Sequence, residues 1–174
     1  HLYESEDVVM QRVYESGQWT QTIETVPNAV VNNQISNMAV VFGNGLSRLD
    51  FDINLAINHK GGLLGANKLQ TYGCNALFRD YTVDFLVALH RDILIEIDQS
   101  GYYESNIVYT RVNNTFEFPK KFYMIPYDPY ADAGTTALYI AAFDGHKKIF
   151  MIGFDGQSLS NSNNSTNFSV YANG

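Results

Sequence analysis

Cysteine, basic residues and long apolar runs are scarce in this chain. Cys74 is the single cysteine among 174 residues, so no internal disulfide forms, and a reducing compartment is indicated. The 11 Lys and Arg residues are outnumbered by 18 Asp and Glu, and the net charge of −7 argues against a nucleic-acid partner. No apolar run approaches the ~20 residues of a membrane-spanning helix, and no signal-peptide pattern is visible at the start. We therefore expect a cytoplasmic protein.

The composition is that of an ordinary globular protein rich in aromatic residues. Hydrophobic residues make up 45% of the chain and charged residues 17%, with 12 Tyr and 11 Phe. The length allows one domain with a full core. We divide the chain into a leader over 1–30, a Rossmann-like nucleotide-binding domain over 31–156, and a Ser/Asn-rich tail or lid over 157–174. Both a monomer and a homo-oligomer are compatible with this composition.

Short apolar segments alternate with helical patterns along the central part of the chain. Strands are predicted at 38–43, 70–75, 83–89, 106–111, 121–125 and 149–154, and helices at 91–98 and 135–143. Strands and helices in this order, with short links, predict a mostly parallel sheet with right-handed crossovers. The predicted fold is a single-domain, Rossmann-like α/β fold with helices flanking the sheet.

Two segments are harder to interpret. Val8, Val9, Arg12 and Val13 fit one side of a short helix that Gly17 would end. Residues 49–57 alternate between apolar and polar side chains, which is the period of a strand, although a loop with apolar anchors fits the same residues equally well.

The stretch Val40–Asp50 (VVFGNGLSRLD) contains the abrupt end of the first predicted strand. Gly43 and Gly45 are able to adopt positive φ and to let a ligand approach the backbone closely. Asn44 and Ser47 offer an amide and a hydroxyl at the carboxyl end of a strand, where open α/β sheets bind their ligands. A tight turn after a core strand explains the same residues equally well.

Further polar residues follow other predicted strands. Asn75 and Arg79 come after the second strand, and Asp155 comes after IFMIGF. Thr135 and Thr136 lie at a helix N-terminus, where free N–H groups favour a phosphate. A plain N-cap explains the threonines as well. In a parallel sheet all these positions face one edge, so the sequence predicts one shared ligand site.

Two familiar nucleotide-binding motifs are absent. The dinucleotide fingerprint would require glycine where Arg48 stands, and an acidic residue roughly 20 positions further on. The segment 63–72 contains no acid, and no P-loop pattern occurs. NAD and FAD are therefore excluded as expected cofactors.

The segments GNGLS, GCNALFRDY and GTTALYIAAFDGHKKIFMIGFD resemble the nucleotide-binding core of the bacterial sialyltransferases of glycosyltransferase family forty-two. A set of phage and marine bacterial proteins that share GCNAL-RD is similar as well. The resemblance covers roughly residues 38–156. It implies a CMP-sialic acid donor as substrate, with no tightly bound cofactor and no metal. It also implies Asn44 and Ser47 at the phosphate and sugar, Asn75 beside the nucleotide, Thr135 and Thr136 by the phosphate or sugar, and Asp155 on the ribose.

The chain also departs from that family. Leu46 replaces a proline, Tyr171 is the sole tyrosine after the last motif, and no histidine follows His146. His146 is predicted to be a solvated loop residue at the opposite edge. His90, at the end of the third predicted strand, is the candidate general base, with helix capping as the alternative.

Three functions remain open from the sequence. The first is a sialyltransferase-like domain that binds a nucleotide or nucleotide sugar such as a CMP-sugar, with weak or no transfer. The second is a non-catalytic binding or assembly module. The third is a pyrophosphokinase-like enzyme, which a Mg²⁺ requirement would favour, since phosphoryl transfer normally needs Mg²⁺ held by carboxylates.

Overall fold

The computed structural model describes residues 12–15, 18–21, 38–59, 69–155 and 170–171. Near its start, β1 (Arg12–Glu15) pairs with β2 (Gln18–Gln21) in an antiparallel register. The helix predicted from Val8 to Val13 is therefore wrong for Arg12 and Val13, which lie in β1. Val8, Val9 and Gly17 lie outside the described residues, as does most of the predicted leader and tail.

A six-stranded, all-parallel sheet forms the centre of the molecule. Its strands are β3 (Met38–Phe42), β4 (Gln70–Cys74), β5 (Phe85–Val87), β6 (Ile107–Thr110), β7 (Tyr123–Met124) and β8 (Lys148–Ile152). The strand order is β7-β6-β5-β4-β3-β8, with every neighbouring pair parallel. The predicted Rossmann-like α/β fold is confirmed.

Helices cover both faces of the sheet. They are α1 (Ile53–Ile57), α2 (Arg91–Ser100), α3 (Val112–Glu117) and α4 (Ala133–Phe143). Apolar side chains of α1 and α2 pack with Val40, Phe42 and Leu86 on one face. Those of α4 pack with Val41, Tyr72 and Val87 on the other. A right-handed crossover places its helix on one face when the chain moves in one direction along the sheet, and on the other face when the chain moves back. Helices therefore cover both faces because the last crossover runs opposite to the earlier ones.

That reversal occurs beside β3. The chain proceeds from β3 through β4, β5 and β6 to β7, and then returns across the sheet to place β8 on the other side of β3. The carboxyl ends of β3 and β8 therefore flank a topological switch point. In open α/β sheets this is the crevice in which ligands bind.

The segment 49–57 is helical rather than a strand. A 3-10 helix covers Leu46–Asp50, and α1 follows because the Asp52 carboxylate accepts a hydrogen bond from the Asn54 backbone N–H at 3.0 Å. This N-cap and the first-turn geometry outweigh the alternating pattern. Helix α3 was not predicted, because its six residues contain a Thr and two Asn, which have low helix propensity.

His146 is buried rather than solvated. The Tyr72 hydroxyl donates to the Asp144 carboxylate, and the His146 Nε2 lies 2.7 Å from the same hydroxyl. These three side chains are buried where α4 ends and β8 is about to begin, at the edge opposite the switch crevice. The prediction of a solvated loop was wrong because His146 faces the Tyr72 ring across the sheet. Within the described ranges, no helix is both long enough and apolar enough to cross a bilayer.

We expect Phe85→Ala to destabilise the protein by about 3–5 kcal/mol, because it would leave a cavity under α4. Phe85 lies in the interior strand β5, is 6% exposed, and contacts the rings of Tyr72 and Tyr109. The measurement is the free energy of unfolding in urea. Phe116→Ala, at a residue 80% exposed on α3, is the control and should change it by less than about 0.5 kcal/mol. Equal losses in the two variants would contradict the assignment of Phe85 to the core.

Candidate functional site

Glycines at the switch point bring the ends of β3 and β8 into backbone contact. A Cβ atom at Gly43 would lie 2.4 Å from the Gly153 carbonyl oxygen, and one at Gly153 would lie 2.6 Å from the Gly43 carbonyl oxygen. Gly43 N–H donates to the Ile152 carbonyl, and Gly45 N–H donates to the Gly153 carbonyl, both at 2.8 Å. Gly45 is equally crowded, by Gly153 and Asp155. Of these three glycines, only Gly153 has a positive φ. Gly43 and Gly45 are needed for a different reason, because a side chain at either position would clash with the end of the neighbouring strand.

The Asn44 side chain joins the ends of two neighbouring strands. Its Nδ2 donates to the Cys74 carbonyl at 3.0 Å, across from the end of β3 to the end of β4. Its Oδ1 accepts a hydrogen bond of 2.6 Å from the Arg48 guanidinium. Both ends of the amide are thus engaged within the protein. Asn44 lies where the sequence predicted a ligand contact, and it acts there as a bridge between strands.

Two more asparagines continue this row along the carboxyl edge. Asn75 follows β4, has a positive φ of 46°, and its Oδ1 is 3.5 Å from the Leu89 N–H beyond β5. The buried Asn114 of α3 donates to the Leu89 carbonyl at 3.3 Å and to the Thr110 hydroxyl at 2.9 Å. An amide offers both donors and acceptors, so one side chain can satisfy the unpaired backbone groups of neighbouring strand ends.

Ser47 and Asp155 are brought together, and they form hydrogen bonds with each other. The Ser47 backbone N–H donates to Asp155 Oδ2 at 3.0 Å, and the Ser47 hydroxyl donates to Asp155 Oδ1. These hydrogen bonds from Ser47 lower the pKa of the Asp155 carboxyl below its ordinary value. Asp155 therefore accepts hydrogen bonds at the start of the 3-10 helix that follows the glycine turn, and both residues line the predicted edge.

The N-terminus of α4 also lies at this edge, where an aspartate side chain caps the first backbone N–H groups of the helix. Gly134 lies beside the Phe154 ring, next to the end of β8. The Asp132 carboxylate accepts a hydrogen bond from the Thr135 N–H at 2.7 Å. Thr135 is exposed and Thr136 is fully buried. Asp132 is therefore the N-cap, and its charge opposes a phosphate at this helix end.

Arg79 and His90 lie further along the same edge. Arg79 follows β4, and its guanidinium makes two 2.7 Å hydrogen bonds to the Glu96 carboxylate on α2. That pair raises the pKa of Arg79 and lowers the pKa of Glu96. His90 is exposed, immediately after Leu89 and before α2, and its side chain does not cap the helix. It is two strands away from Asn44, which corresponds to about 10 Å at the usual strand spacing.

Arg48 is the functional candidate that the sequence interpretation missed. It is 3% exposed, and its guanidinium donates to Asn44 Oδ1 and, at 3.4 Å, to the Gly43 carbonyl. Among the described residues no carboxylate forms an ion pair with it. Arginine is almost never fully buried unless it is paired. The available signal was an arginine four residues after the strand-end asparagine, at a position where the dinucleotide fingerprint would require glycine.

Residues 170 and 171 also lie at this edge. The Val170 N–H donates to the Asn44 carbonyl at 2.7 Å. The Tyr171 ring lies 5.1 Å from the Arg48 guanidinium carbon and 5.7 Å from that of Arg79, and its hydroxyl donates to Asp80 at 2.6 Å. Burial raises the pKa of Tyr171 to about 12. The Tyr171 ring therefore covers Arg48 and belongs to the candidate site.

Cys74 lies behind this layer. Its thiol is buried, and burial raises the pKa of the thiol to about 12, so it is neutral and unreactive at physiological pH. In the part of the chain that the structure describes, no group of three or more His, Cys, Asp or Glu side chains is arranged to hold a metal ion.

Comparison with known proteins gives no assignment: no family model, no curated protein and no solved structure matches this chain.

Asn44→Ala should lower the free energy of unfolding by about 1–3 kcal/mol, because it would remove the 2.6 Å hydrogen bond of the buried Arg48 guanidinium and the 3.0 Å hydrogen bond to the Cys74 carbonyl. Urea denaturation measures this loss. Asn113→Ala is the matched control, since Asn113 is exposed on α3, and it should change stability by less than about 0.5 kcal/mol. An unchanged midpoint for Asn44→Ala would show that the amide does not hold the two strand ends.

Proposed function

We propose that this chain is a glycosyltransferase-like domain that binds a nucleotide or a nucleotide sugar, such as a CMP-sugar, at the carboxyl edge between β3 and β8. The proposal is supported by the position of the switch point and by the groups gathered there. Crevices of this kind are the usual ligand sites of open parallel sheets.

The observation that carries the proposal is the buried Arg48. Its guanidinium faces an amide oxygen, a backbone carbonyl and aromatic rings, none of which carries a neutralising charge. An arginine is suited to phosphate because its planar donors match the phosphate oxygens and its charge is permanent. No described carboxylate forms an ion pair with Arg48. A phosphate bound at this edge would supply the missing negative charge.

The acidic groups nearby restrict where such a phosphate would lie. Asp155 is bonded to Ser47, and Asp132 caps α4, so both carboxylates flank the crevice. A phosphate placed against Arg48, rather than at the N-terminus of α4, avoids the charge of Asp132. In this proposal Thr135 and Thr136 lie beside the crevice, and not by the phosphate as the family resemblance implies.

For the transfer reaction, His90 is the proposed general base. It is exposed at the same edge, on the side of β5, and it can reach an acceptor that lies over the ends of β4 and β5. A positioned base contributes roughly a hundred- to ten-thousand-fold to such a rate. Stabilisation of the departing phosphate would fall to Arg48.

A second candidate is a non-catalytic nucleotide-binding module. It is favoured by the internal bonding of Asn44, Ser47 and Asp155, which leaves few side-chain groups to act on a reacting sugar. It shares the binding site of the first candidate, and the two differ only in turnover.

Arg48→Met should weaken binding of CMP at least about tenfold, because it removes the charge while retaining the apolar stem. Arg48→Lys keeps the charge and should bind with intermediate affinity. Isothermal titration with CMP, UDP, GDP and ATP, each with and without Mg²⁺, gives the affinities. Arg91→Met is the control, since Arg91 is exposed and already paired with Glu117. Equal CMP affinity in the Arg48→Met variant and the wild type would refute the proposed site.

Transfer is tested by incubating the protein with CMP-sialic acid and lactose and measuring sialylated lactose. We expect slow product formation that falls about a hundredfold or more in His90→Ala. His59→Ala is the control, because the His59 Nδ1 accepts from the Leu69 N–H next to the start of β4, at the opposite edge. Fast turnover that survives His90→Ala would be incompatible with His90 as the base. CMP binding without any product would assign the chain to the second candidate.

A further inference from the structure

The contacts of Tyr171 match those that a protein makes with a nucleobase. A flat aromatic ring lies against the guanidinium groups of Arg48 and Arg79, at 5.1 and 5.7 Å from their central carbons. The hydroxyl at the end of the ring donates a 2.6 Å hydrogen bond to the Asp80 carboxylate. Stacking on guanidinium planes and a hydrogen bond at the ring edge are the two ways in which proteins hold unpaired bases.

We propose that Tyr171 occupies the position of a nucleobase and must leave it when a nucleotide binds. This inference rests on the proposed nucleotide-binding function, and adds to it the place of the base and the group that competes for that place. The tail residues Val170 and Tyr171 then form an internal competitor, held by the Asn44 carbonyl on one side and by Asp80 on the other.

Tyr171 contributes to the burial of Arg48. Tyr171 is 9% exposed and packs with the apolar cluster of α1 and α2, while its ring covers the guanidinium of Arg48. Removal of the ring opens the face of that guanidinium to a base, and leaves its charge available to the attached phosphate. Tyr81, 6.0 Å from Arg48, remains as a further aromatic wall.

Asp80 gives the position a preference among bases. A carboxylate accepts hydrogen bonds and cannot donate them, and in the present structure it accepts from a phenolic O–H. A base with an amino group at its edge, such as cytosine, replaces that donor, as Asp and Glu do when they accept from cytosine N4. Uracil presents a carbonyl oxygen at the same position, which the carboxylate repels. The proposed ligand class is therefore a nucleotide whose base carries an edge amino group.

When a site is blocked in part of the population, its apparent affinity is the intrinsic affinity multiplied by the fraction of molecules in which the site is open. Removing the competing ring should therefore tighten binding. We expect Tyr171→Ala to bind CMP about tenfold more tightly than the wild type. Tyr171→Phe keeps the ring and loses the hydrogen bond to Asp80, and it should tighten binding by a smaller factor, about threefold.

The test is isothermal titration of the wild type and both variants with CMP and with UMP, after circular dichroism has confirmed that each is folded. Phe143→Ala is the control for loss of an aromatic ring, since Phe143 ends α4 at the opposite edge, and it should leave the CMP affinity unchanged. Asp80→Asn should remove the preference for CMP over UMP, because a neutral amide accepts and donates.

The outcomes separate the two proposals. Tighter CMP binding in Tyr171→Ala and a preference for CMP over UMP support the inference. CMP binding of equal or lower affinity in Tyr171→Ala than in the wild type overturns the inference and leaves the proposed function standing. No binding of any nucleotide, by the wild type or by either Tyr171 variant, overturns the proposed function together with this inference.

Discussion

The contact between the ends of β3 and β8 is the constraint on which the rest of the structure depends. Gly43 and Gly153 lie so close that a Cβ on either would clash with the backbone of the other. The contact lies at the switch point, where the chain has returned across the sheet and β8 pairs with β3. The hydrogen bond from the Ser47 N–H to Asp155 and the position of Gly134 next to Phe154 both lie beside it.

The carboxyl edge is also held together by side chains that would otherwise be free to bind a ligand. Asn44 and Asn75 each reach from one strand end to the next, and Asp155 is bonded to Ser47. These contacts form a preorganised rim, and the buried Arg48 guanidinium has no ion-pair partner among the described residues. In the proposed function such a rim would position a ligand, because Asn44, Ser47 and Asp155 are already engaged with protein partners.

Much of the fold followed from the sequence, because buried parallel strands are continuous apolar runs with clear ends. The six strands of the sheet and the helices α2 and α4 were predicted within a few residues. The sequence could not show how the polar edge residues pair, because partners such as Ser47 and Asp155 are more than a hundred positions apart. The roles of Arg48, His146 and Tyr171 were not predicted for a similar reason. Their roles depend on burial by distant segments, which local patterns do not reveal.

The central claim is that a nucleotide binds at the β3 and β8 edge, against Arg48. Amide chemical-shift mapping of the isotope-labelled protein, titrated with CMP, tests it most directly. The account predicts that the largest changes occur at residues 43–48, at 153–155 and at Tyr171. Changes confined to the opposite edge, around residues 144–148, would contradict it, as would a spectrum that CMP leaves unaltered.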